Sequence, residues 1–166
     1  MTTQPAQTRI QYLPLAISIL ITLAIGVTAS LFIFPEINGW YQTLKKPSFN
    51  PPDWIFPWVW TTLYIMIGIS AYLVWRQRKR SSGFKLAVFI YIVQLLLNFS
   101  WSIVFFQMHQ MALALLIIKV LWISILFNII YFGKFSKPAS WLLAPYLLWV
   151  SFATVLNFSI LLLNRP

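Results

Sequence analysis

Residues able to do acid–base or metal chemistry are few: one histidine, His109, and two acids, Glu36 and Asp53, with no cysteine. That inventory excludes disulfides, thiolate nucleophiles and Cys-based metal sites. Nor can it furnish a multi-ligand His/carboxylate metal centre or a hydrolytic triad within one chain. What remains is hydrogen bonding by amides and hydroxyls, and stacking by indoles and phenols. Tyr91, Gln94, Asn98, Trp101 and Phe105 recur at intervals of 3, 4, 3 and 4, which is one stripe of an α-helix, in a run otherwise filled with Ile, Val and Leu. Amides in so apolar a run need partners, so the stripe is predicted to face the interior of a bundle. Two roles fit it: interhelical hydrogen bonds, worth about 0.6 kcal/mol each in a bilayer, or a cavity wall offering a few polar contacts in an aromatic setting.

Two similar stripes occur elsewhere: Pro57, Trp60, Tyr64, Gly68, Ala71 and Trp75, then Tyr146, Trp149, Ala153 and Asn157. All three are candidates to converge on one pocket. Ser18, Thr22, Gly26 and Ser30, spaced by four, instead form a small-residue ridge suited to close helix packing. Trp40, Tyr41 and Trp75 also suit interfacial anchoring.

The elements that position these stripes follow from composition. The chain has 166 residues, 60% hydrophobic and 8% charged, with a mean hydropathy of +0.80; soluble domains carry about 25% charged residues. This is an integral membrane protein. Met1–Gln7 is polar and uncharged, and the apolar run after Arg9 is longer than a signal-peptide core, so a retained first helix is expected. Charges punctuate five spans, at about 12–34, 54–75, 86–106, 111–132 and 138–163. Residues 86–133 carry only Lys119 as a charge and are too long for one crossing, so the chain must turn at Gln107–Gln110. Apolar stretches of about 18–25 residues without alternation satisfy their backbone only as helices. The fold expected is all-α, a five-transmembrane-helix bundle forming a single domain over 1–166. Lys119 is expected to snorkel to the interface, and Pro145 to bend the fifth span.

Arg9, Arg76, Arg78, Lys79, Arg80, Lys85, Lys134 and Lys137 fall on one side, against Lys45, Lys46 and Arg165 on the other. The N-terminus is therefore predicted cytoplasmic and the C-terminus outside. The net charge of +10 reads as contact with anionic lipid headgroups rather than with nucleic acid. Between the first two spans, residues 35–53 hold Pro47, Pro51 and Pro52, which fix φ and force their predecessors into extended geometry. Asp53 is placed to cap the second span. Stiff, aromatic and seated over the outer mouth, this loop is expected to act as a lid.

The run WYQTLKKPSFNPPDWIFPWVWTTLYIMIGISAYLVW, Trp40–Trp75, resembles the signature of the translocator protein family (TspO/MBR), also called tryptophan-rich sensory proteins or peripheral-type benzodiazepine receptors. Gln94, Asn98 and Trp101, then Phe105-Phe106, then Pro145-Tyr146-Leu147-Leu148-Trp149 with Ala153, Leu156 and Asn157 extend the match over nearly the whole chain. The resemblance implies five membrane helices, commonly a homodimer, and a pocket beneath the first loop that binds porphyrins or other flat hydrophobic ligands, with sterols and synthetic drugs bound by animal members. By similarity Trp60 and Trp149 match the two pocket tryptophans, and Tyr64, Asn98, Trp101 and Ala153 further lining positions. Gln94, Tyr146 and Phe49 complete the ligand-binding set expected here. The function so implied is a membrane tetrapyrrole-binding sensory or regulatory protein without metal or cofactor. Alternatives are light-dependent porphyrin breakdown, with Trp60 and Trp149 as its reactive groups, or transport of porphyrin or other hydrophobic ligands. Three departures stand out. Phe49 replaces the usual Trp and loses an indole N–H. Leu115 stands where many relatives carry an acid. Phe158, followed by a base only at Arg165, departs from the sterol-recognition pattern.

Overall fold

The computed structural model describes residues 10–79 and 83–165; Arg9 and Arg80, counted above for orientation, lie outside them. Five helical spans are long and apolar enough to cross a membrane: Tyr12–Asn38, Ile55–Arg76, Phe84–Gln107, Met111–Gly133 and Lys137–Leu163. We label the helices α1 (Tyr12–Asn38), α2 (Trp40–Thr43), α3 (Ile55–Arg76), α4 (Phe84–Ser102), α5 (Met111–Gly133), α6 (Lys137–Leu142) and α7 (Ala144–Leu163). Large apolar residues such as Leu20, Leu31, Leu96, Leu116 and Leu148 are exposed on the outer surface. Water would penalise that surface, whereas acyl chains solvate it.

Helix α1 packs along α3, α4 along α5, and α5 along α7, while α6 rests on α3. The contact between α1 and α3 is close because the ridge expected to pack does so. Ser18 Oγ donates to Gly68 O at 2.7 Å, and Thr22 Oγ1 donates to Tyr64 O at 2.8 Å. A Cβ on Gly68 would stand 2.7 Å from the Ile19 Cα, so only glycine allows the two backbones to meet here. At the opposite side of α3, Ser70 Oγ donates to Ala139 O at 2.7 Å and ties down α6.

Four local features differ from the sequence expectation. Helix α1 runs past Pro35 to Asn38, because a proline in the last turn forfeits a single backbone bond. Helix α4 ends in a π turn, Ile103–Gln107, whose closing bond runs from Met108 N to Ile103 O at 3.0 Å. The turn to α5 then passes through His109 in the left-handed region, φ 55°. Asp53 does not cap α3: the helix has no side-chain cap, and the Asp53 carboxylate accepts from Gln42 Nε2 at 2.7 Å instead. Pro145 lies in the first turn of α7, where its missing N–H costs little, and the break in the fifth span falls before it at Leu143. Lys119 is exposed on the outer face of α5, as snorkelling requires.

Candidate functional site

The lid is held by its own side chains and by the end of α7. Tyr41, on α2, is buried; its hydroxyl donates to Asn50 Oδ1 at 2.8 Å, and Lys46 Nζ sits 4.2 Å from its ring centroid. Burial, and after it the Asp53 carboxylate, push the Tyr41 phenol above its ordinary range, so it remains a donor at neutral pH. Gln42 Nε2 bridges Asp53 to Ile37 O. Asn164, just past α7, accepts from Lys45 N at 3.0 Å and donates to Lys45 O at 2.9 Å, an amide clip across the lid backbone. We expect Asn164→Ala to free this strand. Two net bonds at about 1 kcal/mol each should speed tryptic cleavage after Lys45 by about fivefold or more, and an unchanged cleavage rate would show that the clip holds nothing.

A second clasp joins α1 to the turn before α5. His109 Nε2 lies 3.0 Å from Glu36 Oε2, its ring stacks on Trp40 at 4.1 Å between centroids, and Gln107 Nε2 donates to Phe32 O at 2.6 Å. Trp40 in turn meets Phe105 edge-on at 5.7 Å.

Beneath the lid lies a hollow of about 30 Å³ whose lining includes Trp60, Trp101, Trp149, Ala153, Phe152 and Asn157. Beside it, toward α1, a hollow of about 130 Å³ is lined by Gly26, Tyr64 and Ser102 among others, and shares the Trp60, Trp101, Phe56 and Phe106 walls. On the outside, between α3 and α7, a groove of about 520 Å³ faces the surface and is bounded by Trp149 and Phe152 as well. Those two rings therefore stand between the interior and the outer surface.

The indoles differ in how firmly they are held. Trp101 donates from Nε1 to Asn157 Oδ1 at 3.3 Å, and Asn157 Nδ2 donates to Met111 O at 3.1 Å. The Trp149 Nε1 is buried with no hydrogen-bond partner, and its ring packs on those of Phe152 and Phe56, with centroids at 5.4 Å and 6.0 Å. Below Trp60 runs a row of buried bonds: Tyr64 Oη to Asn98 Oδ1 at 2.7 Å, Asn98 Nδ2 to Tyr146 Oη at 3.0 Å, and Tyr146 Oη to Gln94 Oε1 at 3.0 Å.

Against this geometry, a profile of the TspO/MBR family matches residues 18–163. The chain is 46% identical over 154 residues to the tryptophan-rich protein TspO of Chlorobaculum tepidum, covering 93% of this chain and 98% of that one. It is 43% identical to the Archaeoglobus fulgidus tryptophan-rich protein TspO over 92% of this chain and 97% of that one. The human translocator protein is 36% identical, over 79% of this chain and 78% of its own length.

This chain belongs to the TspO/MBR family.

In this TspO/MBR chain the residues singled out by sequence fall into three groups. Trp60, Trp101, Trp149 and Ala153 line the hollow under the lid, and Tyr64 lines its neighbour. Asn98, Gln94 and Tyr146 are buried in the hydrogen-bonded row below rather than in either lining. Phe49 is 47% exposed, turned against Phe152 at 6.3 Å, and is not part of the wall. Sequence reasoning missed Phe56, Phe106 and Phe152 as wall residues. Phe152 stands three residues after Trp149 and Phe56 four before Trp60, so extending each stripe by one helical turn finds both.

Proposed function

We propose that this membrane protein is a ligand-binding sensor that holds a flat tetrapyrrole, a porphyrin, between its indoles beneath the lid. The observation that carries this reading is the Trp149 N–H, buried in the wall of the hollow without a partner. Such a group costs about 1–3 kcal/mol, a cost that an acceptor on a bound molecule removes. The surrounding rings supply faces for stacking, and Lys45 and Lys46 on the lid offer charge to acidic edges.

Both hollows are smaller than the roughly 300–1,000 Å³ of sites for drug-sized ligands. Their common walls are the side chains of Ile37, Phe56, Trp60, Trp101 and Phe106, and on this reading rotation of the rings joins the two into one space. Binding on this reading displaces rings, and tryptophan emission reports it. The excess of basic residues at the end away from the lid supports a cytoplasmic position for that end on this reading, with the lid outside.

Titration of protoporphyrin into the detergent-solubilised protein, followed by tryptophan fluorescence, tests the reading. Trp60→Ala with Trp149→Ala removes two ring contacts at about 0.5–1.5 kcal/mol each, so affinity should fall about fivefold to a hundredfold. Trp141→Ala serves as the control, because Trp141 is 75% exposed on α6 and lines neither hollow. Equal affinity in the double variant and the control overturns the assignment.

A further inference from the structure

At the end of the bundle away from the lid, a hollow of about 420 Å³ lies among α1, α3 and α4, with Phe132 of α5 also in its lining. Leu13, Ile17 and Ile21 line it from α1, Tyr72 and Trp75 from α3, and Val88 from α4. Of its polar wall groups, Ser18 Oγ donates to Gly68 O and Tyr72 Oη accepts from Gln11 N; the Tyr91 hydroxyl and the Trp75 indole also stand in the lining, and the rest of it is apolar. A wall so largely apolar favours an aliphatic occupant, in a volume within the range of about 300–1,000 Å³ for small-molecule clefts.

The mouth has the opposite character. The Arg78 guanidinium lies 3.9 Å from the Trp75 ring centroid, and that of Arg76 lies 5.7 Å from the Tyr72 centroid. Both rings are lining residues, which brings both cations beside the hollow. Lys85 follows Phe84, another lining residue, in the first turn of α4. The chain has two acids in all, and both, Glu36 and Asp53, are engaged at the lid end. No acidic side chain offsets the rim.

We propose that this hollow is a binding site for one acyl chain of an anionic phospholipid, with the headgroup phosphate held by Arg76, Arg78 and Lys85. The aliphatic tail meets a largely apolar wall, and the phosphate meets charge-assisted donors from the three cations. Polybasic membrane edges attract anionic lipid diffusely; a cleft joined to a basic rim holds one molecule in place. The site lies apart from the indole cluster and does not depend on the tetrapyrrole reading.

Native mass spectrometry of the full chain, released from micelles containing equal phosphatidylglycerol and phosphatidylcholine of identical acyl chains, reads this out. Wild type should retain the anionic lipid at least about tenfold more often. Arg76→Gln with Arg78→Gln and Lys85→Gln should bring the two lipids to near parity. Ala71→Phe, which fills the hollow from α3, should lower retention of the anionic lipid while leaving the rim charged. Lys134→Gln with Lys137→Gln removes charge from residues outside the lining and should keep the preference. Equal retention of both lipids by wild type overturns the proposal. So does a loss of preference in the Lys134/Lys137 variant as large as in the rim variant, which would mean diffuse surface charge. Unchanged retention in Ala71→Phe would remove the acyl chain from the hollow.

Discussion

Gly68→Ala should lower the melting temperature of the detergent-solubilised protein by about 5–10 °C. The added methyl would stand 2.7 Å from the Ile19 Cα and 2.8 Å from Thr22 Oγ1, and the first of these is backbone that no rotamer change can move. Helix α1 must retreat. Its retreat stretches the bonds from Ser18 to Gly68 O and from Thr22 to Tyr64 O, now 2.7 and 2.8 Å. Overpacking of this kind costs about 1–3 kcal/mol, and each interhelical bond adds about 0.6 kcal/mol in a membrane protein. The better helix propensity of alanine returns about 1 kcal/mol. At about 2–4 °C per kcal/mol for a chain of this length, the net shift is the one stated. Gly83→Ala provides the comparison, since a Cβ there meets nothing within 4 Å, and it should leave the transition where it was. If Gly68→Ala melts with wild type, the close approach of α1 and α3 is not what secures the bundle.

Asn98→Leu should cost about 2–3 kcal/mol, and its partner variant much less. Asn98 is buried and joins two helices at once, accepting from Tyr64 and donating to Tyr146. Leucine fills a similar volume and leaves the Tyr64 hydroxyl as a buried donor with nowhere to go, a penalty of about 1–3 kcal/mol. Tyr146 keeps its bond to Gln94, which limits the damage to one end. Adding Tyr64→Phe removes the stranded hydroxyl, so the double variant should be more stable than Asn98→Leu alone. The measurement is a double-mutant cycle by denaturant titration in micelles. Additive losses, with no recovery in the double variant, would mean that the two side chains act independently.

Much of this architecture can be read before any coordinates exist, because a bilayer leaves the backbone few choices. Charges at Arg76, Lys85 and Lys134 end helices whose interiors carry almost none, and the spacing of Gln94, Asn98 and Trp101 placed them on one buried face. Competition between local partners is harder to see. Asp53 looked like a cap, yet the Gln42 amide takes its carboxylate. The π turn at Ile103–Gln107 needs one shifted hydrogen bond and leaves no mark in composition. Phe49 was placed by motif, and motif spacing says nothing about which way a ring turns on a stiff loop. Asn128, buried on α5 with neither amide atom partnered, was overlooked. Its helix is apolar apart from Lys119 and a few scattered polar residues, and only the interval of four from Ser124 hints at an inward face.

The row from Tyr64 through Asn98 and Tyr146 to Gln94 has a direction: each member donates to the next. The amide of Asn98 cannot pass a proton on, so a break at its Oδ1 stops there and Tyr146 keeps Gln94 as its acceptor. The far end closes on Gln94, whose Nε2 has no partner of its own. The row is therefore a chain of separate latches, and each helix pair can loosen without the next.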